Sequence, residues 1–295
     1  VSSGDMIGAS TFTSFIQQDN PTIDALVEAG LDLGAVGNHE FDAGFADLVD
    51  RVVPRYGQGD EAAGAPYALG ANVYLAGTDE PALQEYVVEE VDGVRVAFIG
   101  TVTADTATLV SPAGITEIEF GDQLEAANRV AAEITSADAA DVIVLLTHDG
   151  APTEDCATIA QGDSDYAALI TGASAEIDAI VSGHTHQPYV CEVPVNGVAG
   201  TERPVIQANQ YGTMLGKLDI SVDSTTGELV SIGGSLVPLV GEDDAPLFPA
   251  DAEVEAIVAD AVEVADELGS VEIGSITADI LRGGTPPGDD LGVES

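Results

Sequence analysis

An alternation of two textures runs through the first two thirds of the chain. Short apolar runs that read as strands are followed by stretches whose apolar residues recur at helical spacing. That pattern belongs to layered α/β domains, in which helices cover the faces of a sheet. LDLGAV (31–36), DVIVLL (141–146) and IDAIVS (177–182) are the strand-like runs. Between them, Asn20 is placed to cap a helix with Pro21 at its first position, Ile23, Leu26 and Val27 on one face and Gly30 past its end. Phe45 to Val53 reads as a shorter helix stopped by Pro54, and Ser164 to Thr171 as another. Asp122 and Glu125 form a capping-box-like start for a helix carrying Leu124, Ala127, Val130, Ala131 and Ile134.

From Pro204 to Leu239 the texture changes to VIQANQ, KLDISVD and LVSIGGSLVPL, which read as antiparallel strands closing a sheet. A long helix with an acidic outer face follows, marked by Val254, Ile257, Val258, Ala261, Ala265 and Leu268, and is read as a connector. The remaining residues are too few to bury a core of their own. Charge excludes whole classes of partner: 52 Asp and Glu against 7 Lys and Arg leave a formal −45, with Lys217 the only lysine. No basic face can be built from this to neutralise nucleic-acid phosphates or an anionic membrane. No apolar run reaches the ~18 residues of a membrane-spanning helix. At 45% hydrophobic residues the chain is nonetheless composed to fold, so its acidity reads as an adaptation for solubility or salt.

The chemistry concentrates in the histidines. There are four, and each lies in a polar, glycine-flanked turn directly after a strand-like run: His39 in VGNHEFD, His148 in LLTHDG, His184 and His186 in SGHTHQ. Asp5, in SSGDMIG, has the same setting. Ligands of layered α/β folds bind where strand carboxyl ends gather such loops. Imidazole nitrogen with carboxylate and amide oxygen is the donor set for Zn, Mn, Fe or Co. Residues i and i+2 of an extended segment point the same way, so His184 and His186 are read as facing one pocket, one for each of two adjacent ions, with Asp5 the bridging carboxylate. Each residue taken singly has a structural alternative: Asp5 as a turn residue, Asn38 as a left-handed turn residue, a histidine as packing, Asp42 as the cap of a helix beginning near Gly44. Those alternatives leave the shared setting of all the histidines unexplained.

The ordered blocks Gly4-Asp5, GNHEFD (37–42), Thr147-His148 and GHTH (183–186) resemble the calcineurin-like metallophosphatases. The extended GNHEFD form, Ala71-Asn72-Val73 and the late helix resemble the 5'-nucleotidase/UDP-sugar hydrolase branch of that family. The resemblance implies a four-layer α/β sandwich: two mixed β-sheets packed face to face and flanked by helices. It also implies a two-metal phosphoesterase. Asp5 then corresponds to the bridging aspartate, Asn38, His148 and His184 complete one ligand set, and His186 belongs to the other ion. His39 corresponds to the catalytic histidine that is not a ligand, and Asp42 to the carboxylate that orients it; Glu40 is read as structural. The reaction implied is hydrolysis of a nucleotide phosphate ester, 5'-nucleotidase-like and extending to UDP-sugars. A 2',3'-cyclic nucleotide phosphodiesterase and a non-catalytic, metal-stabilised surface binding module are the rivals.

The family's D-x-H block, about 30 or more residues before the GD motif, is not among these residues, so the second ion's ligand set is incomplete in this chain. Residues 1–241 are read as the catalytic domain without its first βα unit. Residues 242–295 are read as a linker helix and, at Glu294 and Ser295, the opening of a C-terminal nucleotide-binding domain that is absent here. The expectation is a piece of a longer precursor, cut at both ends. Cys156 and Cys191 lie in no C-x-x-C spacing and flank the proposed site; a disulfide between them, rather than two free thiols, is the expected state. With the resemblance, that bridge implies an extracellular, periplasmic or cell-surface location.

Overall fold

The computed structural model describes residues 1–241, 243 and 245–277. Its named strands are β1 (Val73–Leu75), β2 (Tyr86–Val91), β3 (Val94–Val102), β4 (Ile118–Phe120), β5 (Val142–His148), β6 (Ala179–Ser182), β7 (Pro188–Pro194), β8 (Glu202–Ala208), β9 (Met214–Val222) and β10 (Leu229–Pro238). Six of them form one mixed sheet in the order β2-β3-β5-β6-β8-β7. The inner four run parallel, and β2 and β7 close the two edges antiparallel. Every residue of β5 is buried, as a strand covered on both faces requires.

Alternation along β5 divides the interior. Ile143 and Leu145 face the helix Gln123–Ser136, whose Ala126, Ala127, Val130, Ala131 and Ile134 are buried in the same cluster. Val142, Val144 and Leu146 point the other way, onto Leu33, Ala35, Leu69 and the apolar side of the β9–β10 hairpin. Each such fully buried side chain contributes roughly 1.5–3 kcal/mol. A third cluster, with Ile23, Val36, Phe41, Leu48 and Val52, lies between that second layer and the helix Asn20–Glu28. The order helices, sheet, sheet, helices is the four-layer α/β sandwich expected from the sequence.

The second layer is less regular than its apolar run suggested. LDLGAV pairs only through the isolated parallel bridges Ser2–Gly34 and Ala35–Leu69, because the turns carrying Asp5 and Asn38 begin within a few residues. Two helix boundaries also differ from the sequence reading. Asp19, not Asn20, is the N-cap, in a left-handed conformation (φ 58°), and its carboxylate caps nothing because it accepts from the Ser10 and Ser14 hydroxyls and the Gly8 N–H. Pro54 does not stop the helix that begins at Phe45. The chain widens into a π turn over Leu48–Val52 and continues as Val53–Tyr56, the wider ladder accommodating the proline ring and its missing donor.

The helix Ala252–Gly269 docks on this body: Ala261 and Ala265 are buried, and Gln17 Nε2 donates to the Ala261 carbonyl at 3.0 Å. The disulfide Cys156–Cys191 is formed and ties the helix Cys156–Ile159 to β7. No helix among the described residues is long and apolar enough to cross a membrane. Glu294 and Ser295 lie outside the described residues.

Candidate active site

Four loops converge at the carboxyl ends of the central strands. Asp5 sits in the first, with φ 58°, and its backbone N–H is held by Glu40. Glu40 is buried and its carboxylate accepts from the N–H groups of Asp5, Met6 and Gly37 at 2.9, 2.7 and 2.5 Å, so one side chain fastens the Asp5 turn to the GNHEFD loop. Burial, reinforced by the Asp5 charge, raises its pKa. The loops meet too closely for side chains at two positions: a Cβ on Gly4 (φ 97°) would stand 2.7 Å from His148 Nδ1, and one on Gly37 would collide with Asp5 Oδ1.

His148 ends β5 and is buried. Its Nδ1 lies 2.8 Å from the Ser3 carbonyl, which can only accept, so Nδ1 carries a proton. Nε2 is then directed at Asp5 Oδ2 (2.9 Å) and Asn38 Oδ1 (3.2 Å). Three electron-pair donors thus converge on one point, which is stable only with a proton or a cation among them. Without a metal the proton takes that role: burial acts to lower the His148 pKa, but Asp5 outweighs it and the net direction is up. Asp5 mirrors this, its pKa being net lowered by His148 and His39 against the opposing effect of burial. Donor separations near 3 Å suit an ion bound at roughly 2.0–2.2 Å to each, and a histidine whose other nitrogen donates to a carbonyl is the usual metal-ligating arrangement.

His184 joins this group. Single ligand atoms of Asp5, His148 and His184 all lie within 4.8 Å of one another, and the His148 and His184 ring centroids are 5.1 Å apart. The His184 pKa is lowered, first by burial and then by His148. His186 is not in that group; its ring lies edge-on to Tyr211, with centroids 5.6 Å apart. The segment is not extended: His184 and His186 have φ of 67° and 57°, so i, i+2 alternation does not apply.

His39 and Asp42 form a separate pair, Nδ1 to Oδ2 2.9 Å, on the short turn His39–Phe41. Asp5 Oδ1 accepts the His39 N–H at 2.9 Å, which connects this pair to the Asp5–His148 group. Two of the structural alternatives are set aside by geometry. Asn38 has φ −69° and is no left-handed turn residue, and the helix beginning at Phe45 is preceded by Gly44, while Asp42 accepts from Ala9 N–H and pairs with His39. Sequence reasoning passed over the polar groups beneath the loops: Gln123, whose Nε2 donates to Asp149 and whose Oε1 accepts from Thr147, and Gln207 on β8. Their signal was a polar side chain at an inward-facing strand or helix position. Burial raises the Asp149 pKa.

No family model matches the chain. It is 34% identical to endonuclease YhcR of Bacillus subtilis over 98% of its own residues but only 23% of that protein. It is 30% identical to a 5'-nucleotidase of Vibrio vulnificus over 80% of its residues and 43% of the relative. Among solved structures it superposes on the calcineurin-like phosphoesterase YfkN of Bacillus subtilis with TM-score 0.67 and 24% identity, covering 90% of this chain and 83% of the other. The chain therefore spans less than half the length of either curated relative.

Proposed function

The chain belongs to the calcineurin-like phosphoesterases, in the branch that includes the 5'-nucleotidases, and on that premise we propose that it hydrolyses phosphate monoesters of nucleotides with divalent metal. The observation that carries the reading is the convergence of Asp5, Asn38 and His148 donor atoms at 2.9–3.2 Å, with His184 alongside and the second His148 nitrogen tied to a carbonyl. We assign Asp5, Asn38, His148 and His184 to one ion of the Zn, Mn, Fe or Co class, and Asp5 and His186 to a second whose set this chain does not complete. Bound there, a divalent ion supplies Lewis-acid polarisation of the phosphoryl group.

We assign His39, outside the ligand group, to give a proton to the departing ester oxygen as water adds to phosphorus from the opposite side. Asp42 accepts from Nδ1 and so directs the other ring nitrogen outward to do it. Gly4 and Gly37 keep backbone and Asp5 in contact, so the ligand geometry is set before substrate arrives. A binding module without catalysis would need the ligands but not the His39–Asp42 pair. The −45 charge argues against a polynucleotide substrate, so the endonuclease name of one relative is not carried over. Residues 1–241 are the proposed catalytic domain, 242–295 the proposed linker and start of a nucleotide-binding domain, and the disulfide supports a location outside the cytoplasm.

The test is product analysis with the full-length protein, supplied with Mn²⁺: free phosphate from AMP, UMP with glucose 1-phosphate from UDP-glucose, and ring-opened monophosphate from a 2',3'-cyclic nucleotide. Release from AMP that a chelator abolishes and Mn²⁺ restores is the expected result. Ring opening of the cyclic nucleotide with no phosphate from AMP would replace the monoesterase reading, and no metal-dependent hydrolysis of any of them would overturn it.

A further inference from the structure

The turn carrying His184 and His186 is costly as it stands: two non-glycine residues with φ of 67° and 57° occur within three positions, each in a conformation L-residues avoid. Such a turn persists only where its surroundings over-determine it. Beneath it, Gln207 on β8 is 1% exposed. Its Oε1 accepts the Gln187 N–H at 2.7 Å and its Nε2 donates to Thr185 Oγ1 at 3.0 Å, so one amide grips the residues on both sides of His186. Nε2 also donates to Tyr189 Oη at 3.1 Å. Tyr189 Oη meets Tyr166 Oη at 2.7 Å, and Tyr166 Oη meets Ser182 Oγ at 2.8 Å. Ser182 immediately precedes the turn, so the bonds close a buried ring around it. The sheet register fixes the ring, since Gln207 is the cross-strand partner of both Ser182 and Tyr189. The ring also touches the loop after His148: a Cβ on Gly150 would collide with Gln207 Nε2.

We propose that Gln207 is a positioning residue that holds His184 and His186 in the conformation from which they bind metal, with Tyr189 and Tyr166 fixing its amide. The proposal rests on the reading of these histidines as ligands. Gln207 reaches no ligand directly; it acts through the Thr185 hydroxyl and the Gln187 N–H, on either side of His186.

The experiment uses the full chain, Mn²⁺ as probe and competition with a chelating indicator, beside thermal melting without metal. Gln207→Met, which keeps length but loses the amide, is expected to weaken Mn²⁺ affinity about 10–100-fold. Gln207→Glu, which still accepts from Gln187 N–H and from the two hydroxyls, should recover most of it. Val205→Ala, a buried truncation on the same strand, should lower the melting temperature and leave affinity unchanged. Should Gln207→Met fail to fold, Tyr189→Phe carries the same expectation with a loss of about fivefold. Wild-type affinity in Gln207→Met, or in Tyr189→Phe where that variant stands in for it, or an equal loss in Val205→Ala, overturns the proposal. A wild-type chain that binds no Mn²⁺ instead removes the metal-site reading beneath it.

Discussion

Replacing both cysteines, Cys156→Ser with Cys191→Ser, isolates what the disulfide contributes. The bridge spans a sequence separation of 35 and closes a loop containing β6 and both His184 and His186. In the chain-entropy treatment a loop of that length restrains the unfolded chain by about 3.8 kcal/mol at 25 °C. The unfolding entropy of a 295-residue chain is about 0.6 kcal/mol/K at roughly 2.1 cal/mol/K per residue. The quotient is a fall of about 6 °C in melting temperature. Scanning calorimetry on the double variant measures it, and wild type melted in excess reductant should match the variant. A change of less than about 1 °C, or a reduced wild type that melts with the oxidised one, would refute the reasoning from loop closure.

Further predictions follow from single side chains. In the full-length protein, His39→Ala should leave metal content intact and lower AMP hydrolysis by about 100-fold or more, measured by steady-state kinetics beside metal analysis; an unchanged rate removes the proton-donor role. Glu40→Ala strands three N–H groups beside a buried space and should destabilise the chain by about 3 kcal/mol or more in urea melts. A loss below about 1 kcal/mol would mean water replaces the carboxylate without difficulty. Burial raises the Asp178 pKa from 3.8 to about 6, against the opposing Ile143 N–H and Arg203. The folded state then binds this proton before the unfolded state does, so the group's contribution to stability grows as pH falls through about 6 toward 4. Asp178→Asn should therefore be more stable than wild type at pH 7.5, by on the order of 1–3 kcal/mol, with the difference shrinking at pH 5. A difference independent of pH would contradict this.

The sequence carried the layers because burial and period coincide. The uninterrupted apolar run of β5, the helical spacing from Leu124 to Ile134 and the glycine-flanked turns after each strand say which residues face inward and where the chain reverses. Asp5, Asn38, His148 and His184 stand out together for the same reason, each lying in a turn just after an apolar run. What escaped was conformation inside the turns. Nothing local in GHTH states that both histidines adopt positive φ, because that depends on Gln207, about 20 residues away on another strand. Likewise Asp19 lost its capping role to two serines brought in by the preceding turn, and Pro54 was absorbed by a π turn. Only the first of these depends on a distant strand; the other two are settled by neighbouring turns.

The proposed chemistry stands or falls on one divalent ion shared by Asp5, Asn38, His148 and His184. Anomalous diffraction from crystals of this chain grown with Mn²⁺ or Zn²⁺ locates such an ion. The predicted result is an anomalous peak about 2.0–2.3 Å from a donor atom of each of the four residues. Crystals at saturating metal that show no peak there, or a peak bound elsewhere with His148 still hydrogen-bonded to Asp5, would contradict it.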